Sequence, residues 1–241
     1  MKKFYIEDDI NFICDNLDKK NIDFFEGKKI ILTGAYGFLG RYFIKIFENL
    51  NNNYLNNKIK VYCIDNSITG NSSLIDNNKE NIKFYDTDAS KKFIIDDDID
   101  IIIHAAGIAS PFYYKAYPLE TLDVAINGTR NFLELAKNKK AKFIFFSSSE
   151  IYGDPDSNKI PIKEEYRGNV SPLGPRACYD ESKRLGETLC YIYKNYYNVD
   201  VKIVRPFNIY GPGMAQNDYR ILPNFANCLK NNIKFSVYGS G

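Results

Sequence analysis

The chain has 241 residues, of which 44% are apolar and 26% are charged, and its formal net charge is +2. This near-neutral balance is typical of a globular protein and gives no electrostatic case for a nucleic-acid or anionic-membrane partner. No apolar run approaches the roughly 20 residues that a membrane-spanning helix needs, and the acidic residues at 7–9 lead us to expect no signal peptide.

The cysteines and the histidine indicate which metal sites and which cellular compartment to expect. The five cysteines are scattered along the chain and form no CxxC pair. We therefore expect reduced, structural thiols in a cytoplasmic protein. His104 is the single histidine, so a multi-histidine metal site is excluded and we expect no bound metal.

The first segment, residues 1–27, is predicted to be a short amphipathic helical extension. Ile10, Ile13, Cys14 and Leu17 recur there at helical spacing. We expect this extension to pack against the rest of the chain rather than to bind a partner.

From residue 28 onward, short apolar strands alternate with helical stretches. Several of the strands are continuous apolar runs, as expected for parallel strands that are buried on both faces. This alternation predicts an α/β fold with a doubly wound parallel sheet. The predicted strands are 29–33, 60–65, 82–85, 99–104, 142–147 and 201–205, and the predicted helices are 38–50, 118–137 and 177–197.

A glycine-rich turn, GAYGFLG at 34–40, joins the first of these strands to a helix. Glycines at this spacing let backbone N–H groups and a helix N-terminus approach a pyrophosphate. Asp65 ends the second strand, where a carboxylate can accept from both ribose hydroxyls and would repel a 2′-phosphate, which favours NAD over NADP. Asp88 follows the third strand and could instead serve as a turn or helix-capping residue. The candidate cofactor-binding residues are Gly34, Gly37, Phe38, Leu39, Gly40, Asp65, Asn66, Asp88, Ala105 and Ala106.

Tyr179 and Lys183 lie one turn apart in the third predicted helix. A free tyrosine has a pKa of about 10, and a neighbouring lysine can lower that pKa and also hold the nicotinamide ribose. Ser148 ends the fifth strand, at the edge where such sheets bind ligands, and could bond to the reacting hydroxyl. A dinucleotide site with this tyrosine and lysine indicates hydride chemistry at an alcohol carbon.

Together these motifs resemble the extended short-chain dehydrogenase/reductases of the nucleotide-sugar epimerase/dehydratase group. The resemblance covers residues 28–241, and its matching segments are 34–40, 65–70, 104–106, 148–154, 179–183 and 205–212. It implies a Rossmann-type NAD-binding domain at 28–205 and the start of an incomplete, truncated substrate-binding lobe at 206–241. It also implies a nucleotide-sugar substrate and a homodimer formed through the helices at 118–137 and 177–197.

The resemblance also bears on the reaction. Members of the group oxidise a sugar hydroxyl, usually at C4, and differ in the step that follows. Ser149 and Glu150, together with the segment 174–184, resemble the UDP-glucuronate decarboxylases, whereas 4,6-dehydratases carry an Asp-Glu pair after the Ser or Thr. By this resemblance Tyr179 and Lys183 are catalytic, Ser148 steadies the ketone, and Glu150 and Ser149 lie beside the C5 carboxylate.

The same resemblance gives the candidate substrate contacts Ser149, Tyr113, Asn208 and Arg220. Two departures keep other functions open. Ala125 stands where the family normally carries an asparagine, and the segment 104–107 is closer to the broader epimerase group. We therefore expect UDP-glucuronate decarboxylation. The alternatives are a 4-epimerase, a less favoured 4,6-dehydratase, and a module that binds NAD without turnover.

Overall fold

The computed structural model describes residues 7–70, 79–215 and 218–236. Six parallel strands form a single sheet with the spatial order β3-β2-β1-β4-β5-β6. The strands are β1 Lys29–Thr33, β2 Lys60–Asp65, β3 Ile82–Asp86, β4 Ile101–His104, β5 Lys142–Phe146 and β6 Val201–Val204. All six predicted strands are confirmed, with ends that differ by at most two residues.

The strand order places a crevice at one edge of the sheet. β1 lies at the centre, and the chain moves outward through β2 and β3 before it returns to β4 on the other side of β1. The connections that follow β1 and β4 therefore diverge at the carboxyl ends of these strands. In an open sheet of this type, ligands bind at that point.

Helices cover both faces of the sheet, as the doubly wound prediction requires. On one face, α3 (Phe38–Asn53) buries Ile44 and Phe47 against β1 and β2. On the other face, α6 (Thr129–Lys139) and α7 (Ala177–Tyr197) bury Phe132 and Cys190 against β4 and β5. The remaining helices are α1 Glu7–Asp15, α2 Lys19–Phe24, α4 Pro111–Ala116, α5 Pro118–Asp123 and α8 Ile221–Asn231.

The predicted helix at 118–137 is present, and the helical backbone continues to Lys139, but its geometry is not uniform. The segment is divided into α5, a π-helical turn at Val124–Gly128, and α6. The wide turn brings Gly128 against β4 and its neighbours, where a Cβ would lie 2.9 Å from the Ala89 carbonyl oxygen and 3.4 Å from the His104 ring. Tertiary packing therefore decides the backbone geometry here.

The N-terminal segment packs on α3 through its apolar face. Ile10 and Cys14 of α1 are buried in the same cluster as Ile44 and Phe47. Residues 1–6 of the predicted extension lie outside the described residues, as do residues 237–241 of the predicted lobe. Among the helices that the structure describes, none combines the length and the apolar character needed to cross a membrane.

Candidate active site

A cavity of about 850 Å³ opens at the carboxyl ends of β1, β4 and β5. Most of the predicted site residues line it, although they come from distant parts of the sequence. They are Gly34, Gly37, Phe38, Leu39, Gly40, Ala105, Tyr113, Ser148, Ser149, Glu150, Tyr179, Lys183, Asn208 and Arg220. The predicted residues outside the lining are Asp65, Asn66, Asp88 and Ala106.

The glycine turn forms a backbone cradle at one end of the cavity. Gly34 has a φ of +73°, and a Cβ there would lie 2.8 Å from the Ala106 nitrogen. A Cβ at Gly40 would collide with the Gly34 carbonyl oxygen. Gly37 precedes α3 without any side-chain cap, so the first N–H groups of the helix are left for a ligand. This cradle fits a dinucleotide pyrophosphate.

Asp65 ties the end of β2 to the glycine turn. Its carboxylate accepts from the backbone N–H of Tyr36 at 2.9 Å and of Ser67 at 2.8 Å. Burial raises the pKa of Asp65, while these backbone hydrogen bonds oppose the increase. A carboxylate has about four lone-pair sites, so acceptor capacity remains for ribose hydroxyls.

Two other predicted cofactor residues have local backbone contacts. Asn66 Oδ1 accepts from the backbone N–H of Ile68 at 3.2 Å, and Asp88 Oδ1 accepts from that of Ser90 at 2.8 Å. The hydrogen bond of Asp88 lies within its own turn, as the turn alternative predicts, and its role toward a cofactor stays a prediction.

A buried hydrogen-bond chain positions the loop after β4. The backbone N–H of Ala106 donates to Thr33 Oγ1 at 3.0 Å, and this oxygen lies 2.8 Å from His104 Nδ1. Burial lowers the pKa of His104 to about 3, so the ring is neutral and acts in packing.

Ser148, Tyr179 and Lys183 meet in the middle of the cavity. Tyr179 is only 7% exposed, and its ring stacks on Tyr114 with a centroid separation of 5.4 Å. Its hydroxyl shares a side-chain hydrogen bond with Ser148. Lys183 Nζ donates to the Phe146 carbonyl at 2.7 Å and lies 5.8 Å from the Tyr179 ring centroid.

The pKa of Tyr179 differs from the expectation that Lys183 lowers it. Burial raises the pKa of Tyr179, and Glu150 adds to the increase, while Ser148 and Arg220 oppose it. Burial also lowers the pKa of Lys183 to about 8. The phenol is therefore neutral at neutral pH in this state, because its desolvation outweighs the nearby positive charge.

Two cavity residues that contact the predicted catalytic residues, Arg176 and Tyr114, were not themselves predicted. Arg176 forms an ion pair with Glu150 and a longer one with Asp180, at 3.4 Å. Tyr114 covers the catalytic tyrosine candidate, Tyr179. Arg176 could have been identified from its spacing in the sequence, because it lies almost one helical turn before Tyr179.

The remaining predicted substrate contacts surround the same cavity. Arg220 makes a two-pronged ion pair with Asp218, at 2.9 and 2.6 Å, directly before α8. Ser149 donates its backbone N–H to the Pro206 carbonyl at 3.0 Å, which joins the end of β5 to the segment that carries Asn208. Tyr113 packs edge-on against Phe112.

The family model described as the NAD dependent epimerase/dehydratase family matches residues 30–241. The chain is 38% identical over 216 residues to UDP-glucuronic acid decarboxylase 1 of Xenopus tropicalis, covering 89% of this chain and 49% of the relative. The chain thus spans about half the length of the curated relatives that it matches.

Two solved structures have the same fold. UDP-N-acetylglucosamine 4-epimerase from Methanobrevibacter ruminantium is 27% identical with a TM-score of 0.74, covering 90% of this chain and 67% of that one. UDP-glucuronic acid 4-epimerase from Bacillus cereus, solved in complex with NAD, is 24% identical with a TM-score of 0.68, covering 88% and 67%.

Proposed function

The chain belongs to the NAD-dependent epimerase/dehydratase family, and from this premise we propose that it modifies a nucleotide sugar through transient oxidation at C4. The specific reaction that we propose is decarboxylation of UDP-glucuronate. The observation that carries the proposal is the convergence of Ser148, Glu150, Tyr179 and Lys183 in the cavity that the glycine turn also lines. The similarity to curated decarboxylases supports the choice of reaction.

The cofactor of this family is NAD, and the glycine cradle and Asp65 fit it. When bound, it supplies the hydride acceptor for a sugar carbon. Tyr179 would take the proton of the C4 hydroxyl, and Ser148, which bonds to Tyr179, would donate to the oxygen that becomes the ketone. Lys183, buried beside Tyr179, would add positive charge on the side of β5.

A ketone at C4 makes the C5 carboxylate a good leaving group. The bond between C5 and the carboxylate breaks, carbon dioxide departs, and the electron pair passes to the C4 oxygen. Tyr179, which by then holds a proton, can donate to that oxygen. C5 takes up a proton from water as the C4 ketone forms again, which gives the 4-keto sugar, and return of the hydride to C4 with a proton to its oxygen would give UDP-xylose. Glu150 lies close enough to Tyr179 to raise its pKa and forms an ion pair with Arg176, so we propose that this ion pair faces the sugar carboxylate.

Proton NMR of the purified protein with NAD and UDP-glucuronate tests the reaction. Formation of UDP-xylose or its 4-keto precursor is the expected result. Conversion to UDP-galacturonate would establish a 4-epimerase instead, an alternative favoured by the likeness to an epimerase structure at 27% identity. Bound NAD with no product from UDP-glucuronate would contradict the decarboxylase proposal and favour a binding module.

Glu150→Gln is expected to slow carbon dioxide release by roughly 10²-fold, because the variant keeps the side-chain shape but lacks the negative charge that we propose faces the sugar carboxylate. Release of labelled carbon dioxide measures this step, and formation of NADH measures the preceding oxidation, which should continue. Glu181→Gln is the matched control, since Glu181 pairs with Arg184 on α7 and does not line the cavity. Equal rates for the two variants would contradict the role of Glu150.

We also propose that the protein forms a homodimer through α5, α6 and α7 and that it acts in the cytoplasm. The dimer proposal is supported by Tyr191 of α7, whose side chain is 61% exposed and available to a second subunit. The proposed location is supported by the five cysteines, which are free thiols. Solution scattering should give twice the chain mass of 27.8 kDa. Tyr191→Glu should give a monomer. Phe12→Glu, which changes an exposed side chain of α1, should leave the dimer intact. A monomeric parent would refute the dimer, and cell fractionation tests the location.

A further inference from the structure

Glu187 and Arg205 form an ion pair to which the proposed sugar chemistry assigns no role. Arg205 Nε donates to Glu187 Oε1 at 2.9 Å, and Arg205 Nη2 donates to Glu187 Oε2 at 2.7 Å. The side chain of Glu187 is 14% exposed and that of Arg205 is 26% exposed. Neither residue lines the cavity. Because a two-pronged pair of this kind fixes direction as well as distance, it can hold two elements in a defined relative position.

Glu187 joins α7 to the end of β5. It lies about one helical turn after Lys183 and about two turns after Tyr179 in α7. Ser147 Oγ donates to Glu187 Oε1 at 2.6 Å, and Ser147 immediately precedes Ser148 in the sequence. The carboxylate therefore holds the strand end that leads to Ser148 against the helix that carries Tyr179.

Arg205 extends this connection to the segment that carries Glu150. It directly follows β6, and its Nη1 donates to the Tyr152 hydroxyl at 2.7 Å and to the Glu164 carbonyl at 2.8 Å. Tyr152 is 3% exposed and ends the 3₁₀-helical turn Ser149–Tyr152, which includes Glu150. One guanidinium thus connects α7, the end of β6 and this turn.

We propose that Glu187 and Arg205 are positioning residues that hold Ser148 within hydrogen-bond reach of Tyr179. The inference rests on the proposed oxidation at C4, in which these two hydroxyls act on the same sugar oxygen. Ser148 and Tyr179 belong to different elements, so their separation depends on how α7 lies against the end of β5. The bond between Ser147 and Glu187 spans that junction. A misplacement of about 1 Å can cost about 10²-fold in rate.

The position of Ser148 also affects the base. The hydrogen bond from Ser148 opposes the increase in the pKa of Tyr179, so a displaced serine would let that pKa rise further. The other titratable groups that face Tyr179 are Tyr114, Glu150, Asp180, Lys183 and Arg220. Ser148 adjoins the residue that bonds to Glu187, which gives the ion pair a route to the phenol through the end of β5.

Glu187→Gln tests the proposal, because glutamine keeps the side-chain shape but removes the charge-assisted bonds. The kcat for UDP-glucuronate should fall roughly 10- to 100-fold. The KM for the sugar and the Kd for NAD should stay within about twofold of the parent, because the changed residue does not line the cavity. The rise of activity with pH should move to higher pH. A crystal structure of the variant should show a longer distance between the Ser148 and Tyr179 hydroxyl oxygens than a crystal structure of the parent.

Two further variants separate positioning from stability. Glu181→Gln is the matched control on α7, where Glu181 pairs with Arg184, and it should keep the kcat, the pH profile and the hydroxyl separation of the parent. Arg205→Lys keeps the positive charge but lacks the two-pronged geometry. It should therefore reproduce the loss of kcat, and it decides the question if Glu187→Gln fails to fold.

The proposal would be overturned by an unchanged separation of the Ser148 and Tyr179 hydroxyls in the folded variants. A parental kcat, or a loss of stability in denaturant unfolding with no change in kcat, would also overturn it. A parent that binds NAD but converts no nucleotide sugar would instead contradict the proposed function. The hydroxyl separation in the parent and in Glu187→Gln would then decide the positioning role by itself.

Discussion

Tyr179→Phe should reduce turnover of the nucleotide sugar by roughly 10²- to 10⁴-fold, the usual contribution of a positioned acid–base group. The phenylalanine ring keeps the stacking on Tyr114 and the burial, so the fold and the affinity for NAD should be unchanged. Only the hydroxyl that bonds to Ser148 is lost. Turnover measured by NMR, together with NAD titration, separates these two effects.

Tyr113→Phe provides the matched control for this prediction. Tyr113 lines the same cavity, and its ring packs edge-on against Phe112. The pH profile adds a second check. Because the active base is the phenolate and burial raises the pKa of Tyr179, the activity of the parent should increase as the pH rises through that elevated value. A loss below about tenfold in Tyr179→Phe would rule out the proton-transfer role.

Gly40→Ala should abolish measurable NAD binding and destabilise the fold by about 1–3 kcal/mol, the usual cost of overpacking. The added Cβ would collide with the Gly34 carbonyl oxygen and would lie 2.8 Å from the Ala35 Cα. Both neighbours are backbone atoms, so no side-chain rotation can relieve the contact. The turn would have to open, which moves the start of α3 away from the pyrophosphate.

Denaturant unfolding and NAD titration measure the two effects of Gly40→Ala. Gly211→Ala is the control, since a Cβ there meets the Phe38 ring at 3.4 Å, an ordinary contact distance. That variant should retain both stability and NAD affinity. If Gly40→Ala bound NAD as tightly as Gly211→Ala, the close approach of the backbone at the glycine turn would not be required for the cofactor.

The strands were predictable because burial on both faces leaves a continuous apolar run in the sequence. In β4, for example, Ile101, Ile102 and Ile103 are all buried. The π-helical turn inside the helix at 118–137 was not predicted, because it depends on the approach of Gly128 to β4 and not on local periodicity. α4 and α8 were also missed. α4 has only six residues, and Pro111 at its start is the feature that marks a helix, whereas α8 has 11 residues.

The site was predictable where strand order alone decides which residues meet. The end of β5 and the start of α7 converge as expected, which places Ser148 beside Tyr179. Contacts across long sequence separations were missed, such as those of Arg176 with Glu150 and of Arg41 with Gly213. The direction of the Tyr179 pKa was also missed, because the extent of its burial depends on the folded structure. The domain boundaries at 27 and 205 remain predictions.

The outer edge of β6 has a consequence for how the protein behaves at high concentration. Ile203 and Val204 are each 38% exposed, and in the described sheet β6 hydrogen-bonds to β5 on one side only. Such an edge can accept a strand from another molecule and start aggregation. Association of this kind has no closed symmetry, so the measured mass would keep increasing with protein concentration. The proposed two-fold interface through α5, α6 and α7 would instead stop at a dimer. Ile203→Lys should suppress the increase of mass with concentration and leave the proposed homodimer intact.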